Sequence, residues 1–386
     1  MGMRRIPNHD IFFIFVLPII AGCQTLPKTS SSEPYVTSTK EASRNIIDIP
    51  MLHSKLIAKQ ITFVGINSKG RFSPTGQKIS FVSQNRPSHL NSQIYELDLQ
   101  KNTENRLTYN DGDSDDPVYS EDGIRLLFAS TTDEIKDEKN YLQRMKKNFL
   151  RDTQDDPEKN GTLIPESTAE KAQATKLFPP MEVYEFQLNT RTITRLTEHE
   201  GFDGEPTFGS KKGHVVVVSV EDGHPAMYSI IKRNRKKISS SDWSDEYPRY
   251  SVQQKAWVWQ RQKTDPNPNP ETDIETLYIA DSNFESAAPL LKNPKGEVHP
   301  AWNQKLNEVI FSSKRNSEFY NLYAYNRDQN CLRRLTNSEA NHDFPDVSPD
   351  GEWLSFSSEI SGKNQIYLMS YPSDQPCLPE GENPSQ

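Results

Sequence analysis

Six stretches of this chain repeat in register, and that repetition constrains the fold more than any other feature. The unit is clearest at Pro345-Asp346-Val347-Ser348-Pro349-Asp350-Gly351, then Trp353-Leu354-Ser355-Phe356-Ser357-Ser358, then Ile366-Tyr367-Leu368. With Pro345 as the anchor, the matching positions are Gly70, Pro117, Pro206, Pro248 and Pro300. Two residues beyond the anchors stand Phe72, Tyr119, Phe208, Tyr250, Trp302 and Val347. Eleven beyond stand Phe81, Phe128, Val217, Trp259, Phe311 and Phe356, and thirteen beyond stand Ser83, Ser130, Ser219, Arg261, Ser313 and Ser358. Later in each unit an apolar residue precedes a tyrosine: Ile94-Tyr95, Val183-Tyr184, Met227-Tyr228, Leu277-Tyr278, Leu322-Tyr323 and Ile366-Tyr367. A unit too small to bury its own apolar face must stack on its neighbours.

Each unit reads as four short strands, a to d. Strand a carries the residue after the anchor, and a turn such as Ser348-Pro349-Asp350-Gly351 leads into strand b. Strand b alternates, as in Ile79-Ser80-Phe81, which predicts one buried face. Strand c holds the tyrosine. Strand d ends in Arg106-Leu107-Thr108, Arg195-Leu196-Thr197 and Arg334-Leu335-Thr336, with looser versions at Lys237-Ile238-Ser239 and Pro289-Leu290-Leu291. Six four-stranded units of about 45 residues predict an all-β fold, a six-bladed β-propeller. After Tyr367 the chain meets Pro376, Pro379 and Pro384, so no sixth strand d is expected there. Gln60-Ile61-Thr62 supplies the missing copy, and residues 56–63 are expected to pair with the last blade and close the ring.

The N-terminus predicts export. Arg4 and Arg5 precede an apolar run from Ile11 to Ile20, too short to span a bilayer but suited to a signal peptide. The run ends in Ile20-Ala21-Gly22-Cys23, a lipobox pattern that predicts cleavage and acylation at Cys23. Gln24 in place of Asp predicts sorting to the outer membrane, lipid-anchored and facing the periplasm, with surface exposure left open. Several acyl chains anchor stably where one is marginal. The expected divisions are a signal peptide over 1–22, a flexible tether over 23–55, the propeller over 56–371 with an insert at 135–180, and a tail over 372–386. Loss of residues 1–22 removes Arg4, Arg5 and Asp10, and the formal charge moves from −8 to −9. Such an acidic chain argues against nucleic acid as a partner. Once Cys23 is acylated, Cys331 and Cys377 remain. The register places both at strand ends on one face of adjacent blades, which predicts a disulfide in an oxidising compartment.

The anchor, the Ser-Pro-Asp-Gly turn, the Ile-Tyr pair and the Arg-Leu-Thr close resemble the repeat of TolB-like propellers over residues 56–371. That resemblance implies a binding scaffold that contacts envelope proteins such as the Pal lipoprotein. This sequence departs from TolB in carrying a lipobox and in lacking the α/β domain that precedes TolB's propeller.

Candidate sites follow from the register. Asp113, Asp115, Asp116, Asp203, Glu205, Asp245, Glu246, Glu297 and Asp343 are expected on one face around the channel mouth, where they attract a cation or a basic segment. Alternatively each satisfies donors in its own turn. Asp111-Gly112-Asp113-Ser114-Asp115 imitates an EF-hand start, but Asp116 replaces the required glycine; no cofactor is expected, with weak calcium binding left open. The insert in blade 2 opens with Thr131-x-x-Glu134 and places Ile135, Leu142, Met145 and Phe149 on one helical face. Lys232-Arg233-Asn234-Arg235-Lys236-Lys237 is expected in the c–d loop of blade 3, solvated or facing anionic lipid. Serine-hydrolase, zinc-protease and phosphate-loop motifs are absent, and the eight histidines do not cluster at ligand spacing. Three readings therefore stand. The first is a non-enzymatic binding scaffold; the others are a calcium-dependent hydrolase or lactonase, and a glycan-binding module anchored by an exposed Trp243.

Overall fold

The computed structural model describes residues 46–50, 55–132, 179–199, 201–221, 223–239, 243–263 and 274–379. The signal peptide, Cys23, most of the tether and the expected helical insert at 135–180 lie outside these residues, apart from the last two positions of the insert. Six antiparallel sheets follow one another around an axis. Blade 1 runs Ile66–Phe72, Lys78–Gln84, Gln93–Asp98 and Thr103–Arg106. Blade 2 runs Ser114–Tyr119, Arg125–Ser130, Glu182–Gln187 and Thr192–Arg195. Blade 3 runs Phe202–Phe208, His214–Val220, Pro225–Ile231 and Asn234–Lys237. Blade 4 runs Trp243–Ser251, Ala256–Lys263, Thr276–Asp281 and Ala288–Pro289. Blade 5 runs Glu297–Asn303, Glu308–Ser313, Asn321–Asn326 and Cys331–Arg334. Blade 6 supplies His342–Val347, Trp353–Ser358 and Gln365–Ser370. Each strand a lies beside the next, and the last returns to the first, so the six line the axis.

The repeated columns become repeated contacts. The residue eleven beyond the anchor pairs with the strand c tyrosine in every blade: Phe81 with Tyr95, Phe128 with Tyr184, Val217 with Tyr228, Trp259 with Tyr278, Phe311 with Tyr323 and Phe356 with Tyr367. The five aromatic pairs stand with ring centroids 5.5–6.0 Å apart. The core lies between blades: Val82 and Ile94 of blade 1 meet Leu126, Phe128 and Tyr184 of blade 2. Strand b is consequently buried on both faces, with Ile79, Ser80 and Phe81 all inaccessible, where the alternation had predicted one. The polar position is small because a neighbouring blade covers it.

The ring closes through the N-terminal strand Lys55–Gln60, where Lys59 and Gln60 pair with Leu368 and Tyr367. The details copy a strand d end. Leu107, Leu196, Ile238, Leu290 and Leu335 each donate a backbone N–H to a strand c carbonyl, and Ile61 donates likewise to Ile366, all at 2.7–2.9 Å. The hydroxyls of Thr108, Thr197, Ser239 and Thr336 each accept a strand c N–H, and Thr62 accepts that of Ile366, at 2.8–2.9 Å. Even the arginine has its counterpart: Arg106 Nε donates to the Thr108 carbonyl, and Gln60 Nε2 donates to that of Thr62.

Two additions depart from the expected divisions. Ile46–Pro50, assigned to the tether, forms a further strand paired with Lys55–Lys59. Leu378–Pro379 of the tail pairs with Leu332 and Cys331 on the outer edge of blade 5. Proline can sit there because an outermost strand needs no outward donor. Cys331 and Cys377 are joined as a disulfide beside this strand, with Cα atoms 5.3 Å apart.

Candidate functional site

A register shift interrupts strand a of every blade at the anchor, between Ser68 and Arg71, Asp115 and Val118, Gly204 and Thr207, Glu246 and Arg249, Val298 and Ala301, and Asp343 and Asp346. At each bulge the residue before the anchor adopts a left-handed backbone: Lys69, Asp116, Glu205, Tyr247, His299 and Phe344, with φ of 48–56°. Bulky residues rarely take this conformation, and a bulge re-aims the side chain of the residue it carries. These six side chains form a circuit around the axis. Lys69 Nζ meets Asp116 Oδ1 at 2.8 Å, and Asp116 and Glu205 share one electrostatic field. Glu205 Oε2 accepts the backbone N–H of Tyr247 at 2.6 Å. The Tyr247 ring stands edge-on to His299 at 4.4 Å, and His299 stacks on Phe344 at 3.9 Å. The Lys69 ammonium lies 5.3 Å from the Phe344 ring centroid and completes the circuit.

The residue one step earlier reaches the ring member of the preceding blade. Asp115 of blade 2 binds Lys69 at 2.9 Å, and Asp343 of blade 6 accepts from or pairs with His299 Nδ1 at 2.5 Å. By the same register Glu246 of blade 4 falls beside Glu205 of blade 3, and its charge acts on Glu205. Among the described residues neither carboxyl has a Lys, Arg or His within ion-pair distance, although the Lys69 charge also reaches Glu205. Burial, then Glu246 and Asp116, push the Glu205 carboxyl well above its ordinary range. Burial, then Glu275 and Asp245, raise Glu246 from 4.5 to about 7. Burial would raise Asp116 as well, but Lys69 holds it below the usual range. Burial likewise opposes the lowering of Asp343, which His299 imposes. The ring therefore has an acidic arc, Asp116 to Glu246, and an aromatic arc, Tyr247, His299 and Phe344. Tyr247 and Phe344, two blades apart, stand 5.9 Å from each other, so the aromatic arc narrows the lumen.

One step beyond the anchor lies a second layer containing Arg71, Thr207, Arg249 and Asp346. Arg71 Nη1 donates to the Pro345 carbonyl at 3.0 Å and lies 3.5 Å from Asp346 Oδ1. Arg249 Nη1 donates to the carbonyl of its own neighbour Pro248 at 2.8 Å. Burial, then Arg71, lower Arg249 from 12.5 to about 9.

Of the nine carboxylates expected at the mouth, five belong to this channel: Asp115, Asp116, Glu205, Glu246 and Asp343. Asp203, Asp245 and Glu297 do not. They sit three residues before the anchor, wholly buried inside their blades, and each meets an arginine. Asp203 takes a bidentate pair from Arg235 at 2.7 and 3.0 Å. Asp245 takes Arg261 at 2.6 and 2.8 Å and Trp259 Nε1 at 2.9 Å. Glu297 takes Arg315 at 2.6 Å. Asp113 has a turn role, accepting from Ser92 N at 2.7 Å and Ser92 Oγ at 2.9 Å.

Other expectations shift too. The basic run is not a loop: Lys232 and Arg233 make the turn, and Asn234–Lys237 is strand d, with Arg235 committed to Asp203 and Glu221. Trp243 is half-buried, with Arg261 5.4 Å from its ring and Tyr278 at 6.2 Å, so it is no free platform. Asp111 accepts from Thr132 Oγ1 at 2.7 Å and Asp122 bonds Ser120 in the a–b turn, which separates the ends of the EF-hand-like stretch. Among the described residues no three His, Cys, Asp or Glu side chains converge closely enough to hold a metal ion. Sequence reading missed Lys69, Tyr247, His299 and Phe344 because their column shares no residue type. The signal available was position, since each immediately precedes an anchor.

No known protein-family profile matches the chain. In sequence it is 30% identical to an uncharacterized protein of Agrobacterium fabrum over 91 residues, 24% of this chain and 30% of that protein. The match thus spans under a third of that relative. In structure the chain is similar to an oligogalacturonate lyase from Vibrio parahaemolyticus, with TM-score 0.53 and 13% identity over 86% of this chain and 98% of that one. It is also similar to TolB from Acinetobacter baumannii, with TM-score 0.50 and 13% identity over 82% of this chain and 65% of TolB. Blade count, closure and these likenesses define the class, an all-β six-bladed β-propeller. Its fold is TolB-like.

Proposed function

We propose that this chain is a non-enzymatic envelope lipoprotein that binds a protein partner through the channel face of its propeller. The observation that carries this reading is the Glu205 and Glu246 pair at the ring, two carboxyls with no ion-pair partner among the described residues, beside an aromatic arc. A lysine or arginine side chain entering there gains two acceptors and an aromatic wall. The partner is then an envelope protein presenting a basic segment, and a Pal-like lipoprotein suits the TolB-like fold. Acylation at Cys23 would hold the propeller at the outer membrane on the periplasmic side. Lys69 already occupies the space between Asp115 and Asp116, which leaves less room for a divalent ion than a ring of free carboxylates would.

The test is cross-linked capture from solubilised envelopes, wild type against the double variant Glu205→Gln/Glu246→Gln. The wild type should retain a discrete partner that the variant loses, as expected when a charge pair worth about 2–5 kcal/mol is removed. Purified protein should show no turnover on ester, peptide or lactone panels with or without calcium. Turnover abolished by the same double variant would establish the hydrolase reading instead.

A further inference from the structure

The second layer of the channel carries a guanidinium that has no carboxylate within ion-pair distance among the described residues. Arg249 spends Nη1 on the carbonyl of Pro248, while its Nε is buried without an acceptor. Among the described residues it makes no ion pair, whereas Arg71, Arg235, Arg261, Arg315 and Arg333 each have a carboxylate within 4.0 Å. Asp346, the carboxylate of this layer, is engaged by Arg71 and by the backbone N–H of Phe72 at 2.8 Å. Leaving a buried charged donor unsatisfied is costly, and proteins retain such a group where something else completes it.

We infer that Arg249 is an anion-binding residue, and that the channel's second layer takes a carboxylate group from a ligand. The free edge of the guanidinium is Nε with Nη2, the fork that grips two carboxylate oxygens side by side. Arg71 adds a second positive charge nearby, and Thr207 holds the same register in blade 3. Asp116, Glu205 and Asp346 also act on Arg249, and their carboxyls repel a phosphate dianion more strongly than a carboxylate monoanion. This site lies beyond the acidic arc, and its test does not depend on the identity of the protein partner.

The experiment uses the purified full chain, with phenylglyoxal labelling of Arg249 followed by peptide mapping. Exposed arginines such as Arg191 serve as the internal reference for labelling. N-acetylglycylglycine and glucuronate serve as carboxylate probes, one for a peptide C-terminus and one for an acidic sugar. N-acetylglycinamide and inorganic phosphate are the controls. Protection of Arg249 several-fold by either carboxylate and by neither control is the expected result, and the stronger probe identifies the source. In calorimetry the same probe should lose its heat with Arg249→Gln, a variant expected to melt as the parent does. Equal protection by the amide, protection by phosphate alone, or undiminished binding to Arg249→Gln would overturn the assignment.

Discussion

At the scale of single residues, the buried column three positions before the anchor decides how the molecule responds to acid. His342 is wholly buried there, stacked on Phe356 at 4.9 Å, with neither ring nitrogen hydrogen-bonded. Burial lowers its pKa from 6.5 to about 3, with Asp343 opposing. Below pH 6.5 the unfolded chain takes up a proton that the folded chain refuses, so stability falls as pH drops toward 3. At pH 4.5 the loss is roughly 3 kcal/mol. Urea titrations between pH 4 and 7 should show this slope, and His342→Gln should flatten it. Glu246 runs the other way. Its folded carboxyl still holds a proton where the unfolded one is ionised, so its contribution falls as pH rises from 4.5 to about 7. Glu246→Gln should therefore steepen, not flatten, the net gain in stability across that window. The arginine-paired acids give a third outcome: Asp245→Ala strands Arg261 and should cost about 3–5 kcal/mol, read as a shift in the urea midpoint. None of these roles could be read from the sequence. An aspartate in the repeat has the same letter whether it faces the channel, as Asp115 does, or meets Arg235 from 32 residues away, as Asp203 does.

Among the elements, the legible ones are those whose residues repeat. Gln60-Ile61-Thr62 announced the closing strand because it copies Arg-Leu-Thr, and the backbone and hydroxyl bonds it makes are those of the other blades. Ile46–Pro50 has no counterpart in the repeat, since it adds a fifth strand where blades 1 to 4 have four among the described residues, so nothing in its sequence marked it. Strand d of blade 3 was misread for the opposite reason: six basic or amide residues look solvated, yet Arg235 turns inward to neutralise Asp203. Closure gives a test at this scale. Thr62→Val leaves the buried Ile366 N–H without its acceptor and should cost about 1–3 kcal/mol, whereas deleting residues 55–62 should abolish a single cooperative melt. A deletion that melts like the parent would show that the ring holds without its N-terminal strand.

For the whole molecule, propeller geometry converts one repeated bulge into a chemical gradient along the channel. Six left-handed residues bring carboxyls, an ammonium and three aromatic rings to one depth, and one step further two guanidinia face a single carboxylate. The repeat dictates where these side chains stand but leaves their identities free, which is why the fold could be read and the binding chemistry could not. Capture of a basic partner should strengthen as pH rises through about 7, because Glu246 ionises there. Binding that is flat between pH 6 and 8 would detach the partner from this carboxyl. The central claim is that the channel face, and not the opposite face, meets a protein. It is tested most directly by a photo-cross-linking amino acid placed at Tyr247 in the ring or at Trp353, which is exposed at the start of strand b of blade 6, just after the a–b turn. Irradiated cells should yield a discrete protein adduct from position 247 and none from position 353; an adduct from 353 alone would contradict the account.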